Sequence, residues 1–143
     1  LDMRGRLHRE KPSGGQWDLK MRPGGLLDLE FITQYAILTA QTPQTLMPAL
    51  SRTHQQLAET GEWDAQTYTA MSEAFTVLQA LQQVQRIAHV GAVTEADLSS
   101  GLKDRLCRAI GSPDFADLSN QLEETCDRVT ALFQEKLGSI ATD

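Results

Sequence analysis

One stretch organises this 143-residue sequence: Trp17-Asp18-Leu19-Lys20-Met21-Arg22-Pro23-Gly24-Gly25-Leu26-Leu27-Asp28-Leu29-Glu30-Phe31-Ile32-Thr33-Gln34-Tyr35. A short segment of alternating apolar and polar residues runs into a Pro-Gly-Gly turn, and the pattern predicts that a helix begins there. The first turns of this helix carry Asp28 and Glu30 among large apolar residues. Carboxylates in a first turn face unpaired N–H groups and the positive end of the helix dipole. Dipole compensation is therefore the simplest interpretation of the two acids.

Dipole compensation does not explain the helical face on which Asp28 lies. Residues three, four and seven positions further on share that face, and they are Phe31, Ile32 and Tyr35. A charge in such surroundings risks burial unless it is paired. We therefore predict that Asp28 is a buried, salt-bridged anchor, with Lys20 or Arg22 as its partner.

Glu30 lies on the other side of the helix, next to Gln34. Residues two apart on a helix point roughly 200° away from each other, so Asp28 and Glu30 cannot share a metal ion or act as an acid/base pair. Glu30 and Gln34 are instead predicted to present polar groups to a neighbouring domain.

The Pro23-Gly24-Gly25 turn has two interpretations. A turn that opens a helix exposes backbone N–H groups that can bind a phosphate. The same residues are also ordinary turn material, and the longer phosphate-loop patterns are absent from the sequence. Both alternatives stay open at this point.

The composition is that of one soluble globular domain. Hydrophobic residues make up 41% and charged residues 22% of the chain, which disfavours disordered, collagen-like and membrane classes. A net charge of −6 argues against nucleic-acid and anionic-membrane partners. Only the N-terminal segment is locally basic, which is typical of a solvated face or of a contact with a phosphate or an acidic partner; its cations are Arg4, Arg6, Arg9 and Lys11.

Cysteine and histidine suggest no chemistry of their own. Cys107 and Cys126 fall on apolar helical faces, where a free thiol behaves as a small core residue, and a reducing compartment follows. His8, His54 and His89 are scattered, and we interpret all three as surface residues. Without a zinc-site spacing or a secretory leader, the default location is cytoplasmic. A first residue Leu1 suggests a fragment of a longer polypeptide.

The periodicity of apolar residues predicts five helices after a short N-terminal one at residues 2–10. Residues 17–20 alternate like a strand, although they are too few to form a sheet alone. The main helices are predicted at residues 26–40, from Thr42-Pro43 to near Gly61, at residues 65–90 with Asp64 as N-cap, from a capping box at residues 94–97 to Gly111, and from Ser112-Pro113 to Gly138.

The predicted fold class is all-α, an antiparallel bundle of about five helices with a short extended N-terminal segment. The third of the five is apolar on two sides and should be central, while its polar side, which includes Gln79, Gln82, Gln83, Gln85 and Arg86, is interpreted as a solvated face. We place the domain boundary after residue 22, with an N-terminal segment at residues 1–22 and the helical bundle at residues 23–143.

The run of aromatic-Asp-Leu-Lys, Pro-Gly-Gly, Asp-Leu-Glu-Phe-Ile and Gln34 resembles the signature of the glutamine synthetase adenylyltransferase/adenylyl-removing enzymes. The upstream Asp2-Met3-Arg4 and the apolar pattern of the last helix also fit. In that family the motif lies where a nucleotidyltransferase domain ends and its helical companion begins. The resemblance therefore implies a domain-junction motif, formed by Lys20, Gly24, Gly25, Asp28, Glu30, Phe31 and Gln34.

The resemblance also implies a function. Enzymes of this family attach AMP from ATP to a tyrosine of glutamine synthetase, or remove it, with Mg²⁺ and under control of the PII signal protein and glutamine. Their catalytic core, a Gly-Ser motif followed by paired aspartates, has no match here. This chain alone is thus expected to be inactive and without a cofactor, and to pack on a nucleotidyltransferase domain of the same polypeptide. Proximity to a chain end at Asp143 favours the carboxyl-terminal, adenylylating half.

Two alternatives stay open. A related helical domain accompanies the PII uridylyltransferases, so the chain is also compatible with that role. It is further compatible with a free-standing helical interaction module, in which the two-sided helix and residues 17–20 dock another protein or a second copy.

Overall fold

The computed structural model describes residues 15–45, 47, 49–88 and 98–141, the last three as backbone. Within these residues the chain forms five α-helices and no strand: α1 (Leu26–Leu38), α2 (Leu50–Glu59), α3 (Ala65–Ile87), α4 (Ser100–Ile110) and α5 (Phe115–Ala141). The prediction of an all-α fold with five main helices is confirmed. The predicted N-terminal helix at residues 2–10 lies outside the described residues.

Two helix ends follow directly from local chemistry. Asp64 caps α3, because its Oδ1 accepts a hydrogen bond of 2.7 Å from the Thr67 N–H. Gly111 ends α4 in the left-handed region with φ +72°, and the Ser112 N–H then donates to the Cys107 carbonyl at 2.9 Å. This bond pattern is that of a Schellman C-cap, which needs a residue with a positive φ. Both predictions are confirmed.

The beginning of α2 was predicted wrongly. The helix begins at Leu50 and not at Thr42-Pro43. The Thr42 N–H donates to Glu62 Oε1 at 2.7 Å, and the Thr45 N–H donates to Gln56 Oε1 at 3.0 Å. Side chains from α2 and the loop after it thus satisfy this backbone, so the segment folds back instead of forming a helical turn.

Two further boundaries differ from the prediction. Ser99 caps α4, with Oγ 3.1 Å from the Leu102 N–H, and the predicted capping box at residues 94–97 lies outside the described residues. Asp114 caps α5 in place of Ser112, since its Oδ1 accepts from the Asp117 N–H at 2.7 Å. The helix then continues past Gly138 to Ala141, because a single glycine with a helical φ costs only about 1 kcal/mol.

The core is built around α3 and α5. Helix α3 packs against all four other helices, as its two apolar sides predicted, and α5 packs against α1, α3 and α4. The largest fully buried side chains come from every helix and from the segment before α1; they include Trp17, Leu19, Leu29, Ile32, Leu57, Met71, Leu78, Leu106, Leu122 and Phe133. Cys107 and Cys126 are buried as predicted. None of the described helices has both the length and the apolar character that a membrane span requires.

The segment before α1 is part of this core. Residues 17–20 form turns and not a strand, with the Asp18 N–H donating to the Gly15 carbonyl at 3.1 Å. Trp17 is fully buried and stacks on Phe115 with ring centroids 5.4 Å apart. Gln85, predicted to be solvated, is buried and donates to the Trp17 carbonyl at 3.0 Å. The domain boundary after residue 22 stays a prediction, but residues on both of its sides share one core.

His54 is not a surface residue. It is fully buried on α2, with Nε2 3.0 Å from Thr33 Oγ1 and its ring 5.2 Å from Trp63 and 5.9 Å from Phe75. Burial lowers the pKa of His54 to about 4, so the imidazole is neutral at physiological pH. The prediction failed because α2 turns the face containing Thr53, His54 and Leu57 toward the core. His8 and His89 lie outside the described residues.

Candidate functional site at the domain-junction motif

The glycine turn of the motif docks against the last helix. Gly24 has φ +78°, and a Cβ on it would lie 2.7 Å and 2.8 Å from the carbonyl carbon and Cα of Cys126. A Cβ on Gly25 would overlap the Leu19 carbonyl oxygen and lie 2.9 Å from that of Arg22. No other residue type fits without moving backbone atoms. The turn therefore fixes where α1 begins relative to α5.

Asp28 is part of the same arrangement. It is buried, at 1% exposure, as predicted, and its Oδ2 accepts a hydrogen bond of 2.7 Å from the Gly24 N–H. Asp28 is the third residue of α1, and its carboxylate reaches back past the N-cap residue Gly25 to the turn. Its predicted pairing with Lys20 or Arg22 stays a prediction. The hydrogen bond from the Gly24 N–H to Asp28 holds the turn against the first turn of α1.

Arg22 fastens this turn to α5. Its Nη2 lies 3.2 Å from both carboxylate oxygens of Glu123, and its Nη1 donates to the Gln16 carbonyl at 3.0 Å. The neighbouring Cys126 thiol has its pKa raised to about 11, mainly by burial, while Arg22 opposes the shift. A thiol with so high a pKa stays protonated and unreactive near neutral pH.

The four successive N–H groups from Gly24 to Leu27 are all used within the protein. Gly24 donates to Asp28, and the next three N–H groups donate to backbone carbonyls at 2.9–3.0 Å: Gly25 to Arg22, Leu26 to Leu19 and Leu27 to Lys20. No N–H group of this run is left to bind a phosphate. Of the two interpretations of the Pro-Gly-Gly turn, the structure supports the ordinary turn.

The remaining motif residues lie on the outside. Lys20, Glu30 and Gln34 are exposed, and Phe31 is half-buried against the core. Lys20 and Glu30 line a cleft of about 230 Å³ between the motif and α3, which we call the polar cleft. Its other lining residues are Leu26, Leu50, Phe75, Gln79, Gln82, Gln83 and Arg86.

The polar cleft has unused hydrogen-bonding capacity. Six polar side chains line it: Lys20, Glu30, Gln79, Gln82, Gln83 and Arg86. None of the six forms a side-chain hydrogen bond or ion pair with another described residue. Two cations, one carboxylate and three amides are therefore available to a polar surface or ligand from outside.

Sequence reasoning identified two of the six polar residues that line this cleft. It selected Lys20 and Glu30, but it assigned the three glutamines and Arg86 to a solvated face. Their positions, at spacings of three, four and seven residues from Gln79, describe one polar stripe on α3. That stripe was visible in the sequence. Its position opposite Glu30 was not.

A second and larger hollow, the α3–α5 groove, lies away from the motif. It measures about 670 Å³ and continues into a hollow of about 450 Å³ that shares Glu73 and Arg128 with it. Arg128 Nη1 already lies 3.7 Å from Glu73 Oε2, and Asp64 is occupied as the α3 cap. Because the charged residues that line the hollow of about 670 Å³ already have partners, we place the candidate site at the smaller polar cleft.

The acidic, histidine and cysteine side chains of the described residues do not form a metal-binding cluster. No group of three or more His, Cys, Asp or Glu side chains in the described part of the chain could hold a metal ion. Asp28 is buried and Glu30 exposed, so the two acids do not converge. The chemistry available at the cleft is recognition by charge and hydrogen bonding.

Comparison with known proteins identifies relatives of this chain by sequence. Residues 2–137 match the family model described as GlnD PII-uridylyltransferase. The chain is also similar to proteins named bifunctional glutamine synthetase adenylyltransferase/adenylyl-removing enzyme. It is 37% identical over 130 residues to that of Mesorhizobium japonicum (90% of this chain, 13% of the relative) and 33% identical over 143 residues to that of Xanthobacter autotrophicus (99% and 14%). To that of Rhizobium meliloti it is 34% identical over 136 residues (93% and 14%).

The chain spans only 13–14% of the length of these relatives, which are much longer polypeptides. The names of these relatives confirm the resemblance to the adenylyltransferase/adenylyl-removing enzymes. The matching family model is described by the related uridylyltransferases. With 136 of its residues covered by that model, the chain belongs to the family described as GlnD PII-uridylyltransferase.

Proposed function

We propose that the chain is the non-catalytic helical domain of a bifunctional glutamine synthetase adenylyltransferase/adenylyl-removing enzyme. In this role it packs on the nucleotidyltransferase domain of the same polypeptide through the exposed side of the junction motif, formed by Lys20, Glu30 and Gln34. The observation that carries the proposal is the contrast within the motif: its glycine turn packs against α5, while the charged side chains of Lys20 and Glu30 are exposed and line the polar cleft.

The chemistry of the exposed side suits contact between domains. Interfaces between domains of one chain are more polar than obligate interfaces, and their buried polar groups need partners. The polar cleft offers both charges and amides. The rigid attachment of the turn to α5 would hold these groups at a fixed position relative to the bundle. A neighbouring domain could then be oriented by them.

We propose the substrates and partners of the whole enzyme from the resemblance, and the relatives' names support glutamine synthetase as the target. They are ATP as AMP donor, Mg²⁺ bound by the nucleotidyltransferase domain, glutamine synthetase as target and the PII protein as regulator. This chain would hold the catalytic domain and its target in register and pass regulation between them. We place both the enzyme and this domain in the cytoplasm.

A uridylyltransferase role is the second candidate, because the family model carries that description. The two roles are separated by offering the full-length enzyme two reactions: ATP with glutamine synthetase, and UTP with PII. Transfer of AMP to glutamine synthetase alone supports our proposal. Transfer of UMP to PII would replace it.

The free-standing interaction module has lost its main support. It relied on residues 17–20 and on the two-sided apolar helix as docking surfaces. Trp17 and Leu19 are buried by the chain itself, and α3 is packed against the four other helices.

The direct test compares three samples in an AMP-transfer assay: the nucleotidyltransferase segment alone, the same segment mixed with this chain, and the two joined in their native order. We expect high activity only in the joined form, since the junction motif places the two domains. Equal activity of the segment alone would show that this domain does not support transfer.

A further inference from the structure

Building on the proposed function, we propose that the polar cleft binds the phosphate chain of the donor nucleotide, with Lys20 and Arg86 as its cationic ligands. The structure brings these two residues to one hollow from separate elements, the turn before α1 and the last turn of α3. Arg86 would thereby be a binding residue of the enzyme, although it lies outside the junction motif.

The charges of the cleft favour an anion. Lys20 and Arg86 have no ion-pair partner among the described residues, although the whole chain carries a net charge of −6. A planar guanidinium binds two phosphate oxygens at once, and an ammonium binds as a point charge. Gln79, Gln82 and Gln83 add three amide groups that can donate to further oxygens. A phosphate chain offers enough acceptors for all five side chains.

Glu30 distinguishes a nucleotide from a simple inorganic anion. A carboxylate in the same cleft repels a bare polyanion, but it accepts hydrogen bonds from hydroxyl groups. A nucleotide carries phosphates and sugar hydroxyls in one molecule. The mixture of two cations and one carboxylate therefore fits a nucleotide better than it fits inorganic phosphate.

The size of the cleft indicates a shared site. Complete small-molecule sites measure roughly 300–1,000 Å³, and the polar cleft measures about 230 Å³. It would hold only part of a nucleotide, and the nucleotidyltransferase domain would bind the rest. This division explains how a domain without catalytic residues contributes to substrate affinity.

The test uses the full-length enzyme with Arg86→Gln and, separately, Lys20→Gln. Both side chains are exposed, so the substitutions should leave folding intact. We expect each to raise the KM for ATP and the Kd for ATP, measured calorimetrically without glutamine synthetase, about ten-fold, with kcat little changed. Arg108→Gln is the matched control, because Arg108 is an exposed arginine in the last turn of α4 and does not line the cleft.

A competition experiment tests the kind of ligand. Inorganic tripolyphosphate should displace ATP from the unmodified enzyme more effectively than from the Arg86→Gln variant, since the variant lacks a phosphate ligand. Equal competition in both, or an unchanged Kd for ATP in both variants, would overturn the nucleotide proposal.

Hydrogen exchange of α1 separates this proposal from the proposed function. If the variants weaken ATP binding while α1 stays as protected as in the unmodified enzyme, the cleft binds the nucleotide. If α1 loses protection together with ATP affinity, the cleft is an interface between domains, and only the nucleotide proposal fails. Failure of the joined-chain assay would instead refute the proposed function.

Discussion

The two sides of the junction motif differ in burial and in contacts, although their residues alternate within one short stretch of sequence. On the inner side Gly24, Gly25 and Asp28 are buried: Gly24 packs on Cys126 of α5, and Asp28 accepts a hydrogen bond from the Gly24 N–H. On the outer side Lys20 and Glu30 are exposed and have no side-chain partner in the described structure. A dense motif is thus not uniformly functional. The buried residues fix the position of the turn, and the exposed residues supply the polar groups of the cleft.

Gly24→Ala should have the largest effect, because it adds both a disfavoured φ and an overlap with the Cys126 backbone. We expect a loss of about 3–5 kcal/mol in the free energy of unfolding, measured by urea denaturation. Gly61→Ala is the control: its φ is +81°, but a Cβ there meets nothing within 4 Å, so a loss of about 1 kcal/mol is expected. Equal losses in the free energy of unfolding would mean that Gly24 is required only for its positive φ and not for its close contact with Cys126.

Asp28→Ala comes next, since it removes the acceptor of the Gly24 N–H in a buried place. The free energy of unfolding should fall by about 1–3 kcal/mol. The denaturation midpoint of the variant measures this change. An unchanged midpoint would show that the buried side of the motif tolerates loss of its carboxylate.

His54 extends the comparison to a buried polar group outside the motif. Its pKa is lowered from 6.5 to about 4, so the unfolded chain binds more protons between these values than the folded chain. The contribution of the neutral His54 to the free energy of unfolding is complete above pH 6.5 and is lost as the pH falls toward 4. We expect about 2 kcal/mol of this loss between pH 7 and pH 5. His54→Gln should remove that part of the pH dependence, as urea denaturation at both pH values would reveal; an identical pH dependence would place the titration elsewhere.

Glu30→Ala should have the smallest effect on stability, within about 0.5 kcal/mol, because Glu30 is exposed and has no described partner. In the full-length enzyme it should nevertheless reduce AMP transfer several-fold. Glu124→Ala is the control for both measurements, because Glu124 is an exposed glutamate on α5 outside the motif. Full activity of the Glu30 variant would remove this residue from the functional side.

Much of the fold was predictable where a local signal had no competitor. Asp64 before α3 and Gly111 after α4 act through backbone atoms a few residues away, and both predictions held. The Thr42-Pro43 signal failed because side chains of Gln56 and Glu62 bind the backbone of that segment. Such side chains come from elsewhere in the chain, and a window of sequence does not contain them.

The same division applies to the candidate site. The sequence pointed to Lys20 and Glu30 through the motif, and to the burial of Asp28 through the helical period. It did not point to Arg86, because the approach of α3 to the motif depends on how the bundle packs. The burial of His54 and Gln85 was missed for the same reason.

The sequence by itself determined the helical class, the two apolar sides of α3 and the presence of a special turn at Pro23-Gly24-Gly25. These properties depend on periodicity and on local backbone preferences, which act over a few residues. Only the tertiary structure decided that Gly24 must lack a side chain, since the atoms that exclude a Cβ belong to Cys126 of α5. It also decided that Lys20, Glu30 and Arg86 share one cleft, because helix packing brings together residues far apart in the chain.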